Sequence, residues 1–176
     1  MSLFDDEHYR WRETYFLFLQ SLKRPSAESV VEMIGGLSHN FDLQRVRSDD
    51  AGRFESMTVV ASDAYSAIDI SYVEGEEVEE QIASLSTAML PLIDDAEERK
   101  CFDRLADFNG RFDLLHFEQL GDDADVDSAE IGGEDAEADE IDGMLDPGAL
   151  LLVLDAMAEL CDGVGIDPQS NSVMMP

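Results

Sequence analysis

The sequence predicts an α+β fold, with a single, mainly antiparallel sheet of four to five strands and helices packed on one face. Three observations carry that expectation. Ile68, Ile70 and Tyr72 alternate with Ala67, Asp69 and Ser71, the period-two pattern of a strand with one buried and one wetter face. The β-branched run Met57-Thr58-Val59-Val60-Ala61 precedes them across a gap of hairpin length. After Glu74-Gly75 the period becomes helical: Val78, Ile82, Leu85 and Met89 form one stripe, and Glu76, Glu77, Glu79 and Glu80 sit near the positive end of the helix dipole.

Residues 9–19, YRWRETYFLFL, read as a strand with Tyr9, Trp11, Tyr15, Leu17 and Leu19 on one parity. Its second half is apolar on both faces, as in a central or covered strand, with a short buried helix as the rival reading. Ser26 is placed to cap a helix whose stripe is Ala27, Val30, Val31, Ile34 and Leu37, weakened at Gly35-Gly36. From Phe41 the alternation returns, with Phe41, Leu43, Arg45 and Arg47 against Asp42, Gln44, Val46 and Ser48. Asp49-Asp50-Ala51-Gly52 then turns the chain, giving a meander of strands over 41–48, 53–61 and 66–74.

Pro91 ends the helix of 76–90, and Asp94 or Asp95 caps another that carries Cys101, Phe102, Leu105 and Phe108. Residues 112–118 read as a further strand. Asp146 as N-cap and Pro147 at the first helical position open the last helix, which holds Leu150, Leu151, Leu154, Met157, Leu160 and Cys161 and stops at Gly163. That helix either sits deep against the sheet or contributes an oligomer contact.

Between Gly121 and Gly143, eleven of twenty-three residues are acidic and none is basic or aromatic, so this stretch reads as an exposed acidic loop or disordered linker. The organisation expected is therefore one domain made of 1–120 and 144–168, with 121–143 inserted before the last helix and 169–176 as a frayed tail. A ferredoxin-like plait with an extra strand fits the order of elements. A secretion-chaperone-like α-β-β-β-α-β-α sandwich is similar in element order alone.

Forty-one acidic residues against eleven basic ones give a formal net charge of −30. A surface of that sign repels DNA, RNA and anionic membranes, which excludes binding by phosphate neutralisation and points to basic, cationic or apolar partners. The acidity is either a solvating surface or a dedicated function such as cation binding or polyanion mimicry. Cys101 and Cys161 both fall within apolar helical patterns and read as small buried hydrophobes. No run approaches the roughly 18 apolar residues of a membrane span, and the first residues lack the pattern of a signal peptide, so a cytoplasmic location is expected.

One near-motif lies in the acidic stretch. Asp123, Asp125, Asp127 and Glu134 occupy positions 1, 3, 5 and 12 of a calcium-loop frame. Ser128 stands where the sharp turn needs Gly, Glu130 stands where an apolar residue is expected, and a strand precedes the loop instead of a helix. What remains is loose binding of a divalent cation such as Ca2+, the sole cofactor entertained. His8, His39 and His116 belong to no zinc spacing, neither GxGxxG nor GxxxxGK[ST] occurs, and no residue is singled out as catalytic.

The Arg45, Arg47 and Arg53 cluster is one of few basic patches; its arginines either pair with nearby carboxylates or hold an anionic ligand. Two functional classes follow. The first is a non-enzymatic interaction or adaptor protein that binds a protein partner or a second copy of itself. The second is a small-ligand or divalent-cation module using the acidic loop or the arginine patch. An unrecognised hydrolase is the remainder, and a Cys–His contact would mark it.

Overall fold

The computed structural model describes residues 2–121 and 147–174. Eleven regular elements follow one another: β1 (Tyr9–Leu19), α1 (Ala27–Leu37), β2 (Phe41–Ser48), β3 (Phe54–Ala61), β4 (Ser66–Glu74), α2 (Glu76–Met89), α3 (Ala96–Asp103), β5 (Gly110–Gln119), α4 (Gly148–Cys161), β6 (Val164–Asp167) and β7 (Ser172–Met174). All seven strands form one antiparallel sheet in the order β2-β3-β4-β5-β1-β6-β7.

Local chemistry sets the element ends. Ser26 accepts a hydrogen bond from the Ser29 amide at 3.1 Å to start α1, and Asp95 accepts from the Glu97 and Glu98 amides to start α3. Gly75, at φ 106°, makes the turn into α2. The last helix stops one residue before Gly163: Asp162 takes the left-handed conformation at φ 51°, and Lys23 and Arg104 hold its carboxylate. Gly163 lies so close to β1 that a Cβ there would sit 2.8 Å from Leu17 Cδ1 and from the Phe18 carbonyl oxygen.

The sheet has two covered faces. On one, Leu17, Leu19, Phe112, Leu114, Ile68 and Val59 pack under Val30 and Ile34 of α1 and Leu150, Val153, Leu154 and Met157 of α4. On the other, Phe18, Val164 and Ile166 pack under Val78, Ile82 and Met89 of α2, Phe102 of α3, and Leu105 and Phe108. Leu17 and Phe18 are consecutive in one strand, so the two layers lie on opposite sides of the sheet. A third, small cluster of Leu3, Ala67 and Phe117 closes the second face at its other end.

Three features differ from the sequence-based expectation. Among the described residues there are seven strands, not four to five: β6 is only four residues long and lies just past the expected end of the last helix, and β7 is three residues long and lies in the tail expected to fray. Helices lie on both faces, because β1 and β6 bring apolar residues to each side. Finally, α4 begins at Gly148 with Pro147 as its cap, and Asp146, expected to be the cap, lies outside the described residues. No helix of the described residues is long and apolar enough to cross a membrane.

Candidate functional site

Among the described residues, the middle of the second face, between the turn at Leu3 and α2, carries no helix. Two β-bulges decide which residues point there. In β1 the register passes from Trp11 opposite Phe117 to Glu13 opposite His116, so Arg12 is an extra residue. The parity flips at that point. Trp11 joins Phe117 on the open face, whereas Glu13, Tyr15 and Leu17 face the α1–α4 layer. In β2 the register passes from Gln44 opposite Thr58 to Arg47 opposite Ser56, with Arg45 at φ 53° inside the bulge. Gln44 and Arg47 therefore share the open face although three positions separate them.

The result is a shallow groove of about 360 Å³. Arg45 and Arg47 flank it, Ser56, Thr58, Asp69 and Ser71 form its floor, and Phe4 and Leu115 form its apolar end. Phe4 lies edge-on to Phe117 at 4.9 Å and is 60% exposed, and Trp11, the single tryptophan, is 43% exposed beside them. Trp11 Nε1 donates to Thr14 Oγ1 at 3.1 Å, which fixes the ring against the sheet.

The acids of this face are already engaged: Thr58 Oγ1 donates to Asp69, Arg111 grips Asp113 with Nε and Nη2, and Gln44 donates to Asp42. Most basic side chains elsewhere are neutralised locally. Arg10 and Arg12 bind Glu118, Lys23 and Arg104 bind Asp162, Arg24 and Arg53 bind Asp49, and Lys100 binds Glu97. Arg47 has no such partner among the described residues.

The expected arginine cluster is thus divided. Arg45 and Arg47 meet at the groove, while Arg53 turns to Asp49 at 2.9 Å in the β2–β3 turn. The backbone and side chain of Arg53 hold the Asp49 carboxyl below its usual range.

A second polar cluster lies on the helix-covered face, where β1 meets β5. His116, wholly buried, places Nδ1 3.0 Å from Glu13 Oε1, and Tyr15 donates to Glu13 Oε2 at 3.4 Å. Burial, and then the Glu13 and Asp167 charges, push the Tyr15 phenol up to about 12. Burial alone would raise the Glu118 carboxyl, but hydrogen bonds from Arg10 and Arg12 hold it below its usual range. Arg12 Nε, Ser66 Oγ and His116 Nε2 are buried here without a hydrogen-bond partner. This arrangement fixes strands to one another, and among the described residues no hydroxyl or thiol is hydrogen-bonded to the imidazole.

Cys161 Sγ donates to the Met157 carbonyl, and burial pushes its thiol up to about 12, which suits a packing residue better than a nucleophile. Asp123, Asp125, Asp127 and Glu134 lie outside the described residues. Among the described residues no group of three or more His, Cys, Asp and Glu is placed to hold a metal ion.

Sequence reasoning missed Phe4, Trp11, Ser56 and Ser71 as surface residues of one site. Simple alternation places Trp11 with Tyr15, and only a bulge separates them. Fold and surface together define an α+β sheet protein whose second face, among the described residues, has an open patch that bears aromatic and arginine side chains. Comparison with protein-family models, with curated proteins and with solved structures finds no match.

Proposed function

We propose that this protein is a non-enzymatic interaction or adaptor module that receives a protein partner on the open face of its sheet. The observation that carries this reading is the placement of Trp11, Phe4, Arg45 and Arg47 on the sheet area that no helix among the described residues covers. Tryptophan, other aromatics and arginine are the residue types enriched at the energetic centres of protein interfaces. The groove is shallow and open, a shape that suits a protein surface better than an enclosed small molecule. With α3 as an extra element, the run α1-β2-β3-β4-α2-α3-β5-α4 follows the element order of secretion-chaperone-like sandwiches, an analogy of order that agrees with a binding role. A net charge of −30 on each copy opposes self-association, so the partner is a different protein.

The test is affinity capture with the wild-type chain and with the Trp11→Ser/Arg47→Glu double variant, followed by hydrogen exchange on the captured complex. The wild type should retain a partner that the variant loses, with protection over 11–14 and 44–58. Equal retention by both proteins, or protection confined to α1 and α4, would overturn the reading.

A further inference from the structure

We infer that Arg47, Ser56 and Ser71 form a carboxylate seat for an extended acidic segment of the partner; this rests on the interaction reading above and specifies its chemistry. The register sets Arg47 opposite Ser56 and Ser56 opposite Ser71, so three hydrogen-bond donors lie in one row across β2, β3 and β4. Neighbouring strands are about 4.8 Å apart, and the row therefore spans roughly 10 Å. Neither serine hydroxyl has a hydrogen-bond partner among the described residues, and Arg47 has no carboxylate. The acids beside the row are occupied: Thr58 holds Asp69, and Arg111 holds Asp113. Donors without acceptors, next to acceptors already satisfied, are a place for an incoming oxyanion.

The fork of a guanidinium matches the two oxygens of a carboxylate, and the hydroxyls can add one bond each. A phosphate dianion would meet twice the repulsion from a chain of charge −30, which favours the singly charged carboxylate. Leu115, opposite Asp69, lies one row further along the strands, two residues from Ser71. Leu115 is also one strand across from Ser71, an offset of about 8 Å in all, and an extended peptide whose alternate side chains are roughly 6.6 Å apart reaches it by crossing the strands obliquely. The segment recognised is therefore acidic at one position and apolar two positions away.

The experiment is an NMR titration of the isotope-labelled full chain at physiological ionic strength with three probes. These are an acetylated and amidated pentapeptide carrying glutamate two residues before leucine, its glutamine counterpart, and inorganic phosphate. The glutamate peptide should shift the amides of Arg47, Ser56, Ser71 and Leu115. Binding should weaken about tenfold for the glutamine peptide and for Arg47→Glu, and by a smaller factor for Ser71→Ala, with the rest of each spectrum unchanged. Equal binding of the two peptides in the groove overturns the carboxylate seat while leaving the interaction face intact. Tighter binding of phosphate than of the glutamate peptide does the same. Absence of groove shifts at millimolar peptide overturns the seat, and a partner footprint away from the open face removes the interaction reading as well.

Discussion

Glu13 and His116 face each other across β1 and β5, with Oε1 3.0 Å from Nδ1 and the imidazole wholly buried. A carboxylate can only accept, so Nδ1 is the donor and this bond fixes the ring. Removing the acceptor leaves a buried donor unsatisfied, which costs about 1–3 kcal/mol. Glu13→Ala should therefore lower the urea midpoint of unfolding at unchanged slope, whereas Glu13→Gln, which keeps an acceptor oxygen, should lose less. An Ala variant as stable as wild type would show that this pair contributes nothing to the fold.

Ser66 gives the opposite expectation. Its hydroxyl is buried on β4 between Ala61 and Glu118 and has no hydrogen-bond partner among the described residues. Ser66→Ala removes a desolvated polar group and no hydrogen bond, so stability should be unchanged or raised by up to about 1 kcal/mol. Thermal unfolding measures this directly, and a lowered midpoint would mean that the hydroxyl is satisfied in solution.

The tyrosines set the alkaline limit. Tyr15 titrates at about 12, above the ordinary value of 10, because of burial first and the Glu13 and Asp167 charges next. Tyr72 is raised in the same sense by burial, then by its hydrogen bond to Glu74. A group whose folded pKa is raised binds more protons when folded, so its contribution is complete below pH 10 and is lost as pH rises towards 12. Stability should fall between those pH values, and the fall should be shallower in Tyr15→Phe. A flat profile in the wild type would contradict the burial of both phenols.

Salt should stabilise this protein. A formal charge of −30 repels itself over the whole surface, and raising ionic strength from 0.1 to 1 M shortens the screening length from about 10 to about 3 Å. The exposed ion pairs, such as Lys100–Glu97, contribute little and weaken little. A scan of melting temperature against sodium chloride should rise across this range; a fall would mean that the ion pairs dominate.

Much of the fold is legible in the sequence where one rule operates alone. The hairpin of β3 and β4, the switch to α2 after Gly75, and the Ser26 and Asp95 caps follow from alternation, turn length and capping chemistry. The ends of the sheet are not legible. Val164–Asp167 is four residues long, and its place beside Phe16–Phe18 depends on a partner almost 150 residues earlier, which no local pattern records. The same limit applies to the groove. Arg45 and Arg47 are visible as a basic pair, but their separation from Arg53 and their meeting with Ser56 and Ser71 depend on a bulge in β2 that the alternation of Phe41 to Ser48 conceals.

The position of β1 between β5 and β6 has a consequence for how the chain reaches this state. β1 leaves the ribosome well before either strand that flanks it, since Leu17 must await both Phe112 and Gly165. Until then Phe16-Leu17-Phe18-Leu19 can be shielded on neither edge. Such distant pairing slows folding because loop closure precedes any gain from contact. The interval is an opportunity for wrong association, and the heavy negative charge keeps nascent copies apart while it lasts.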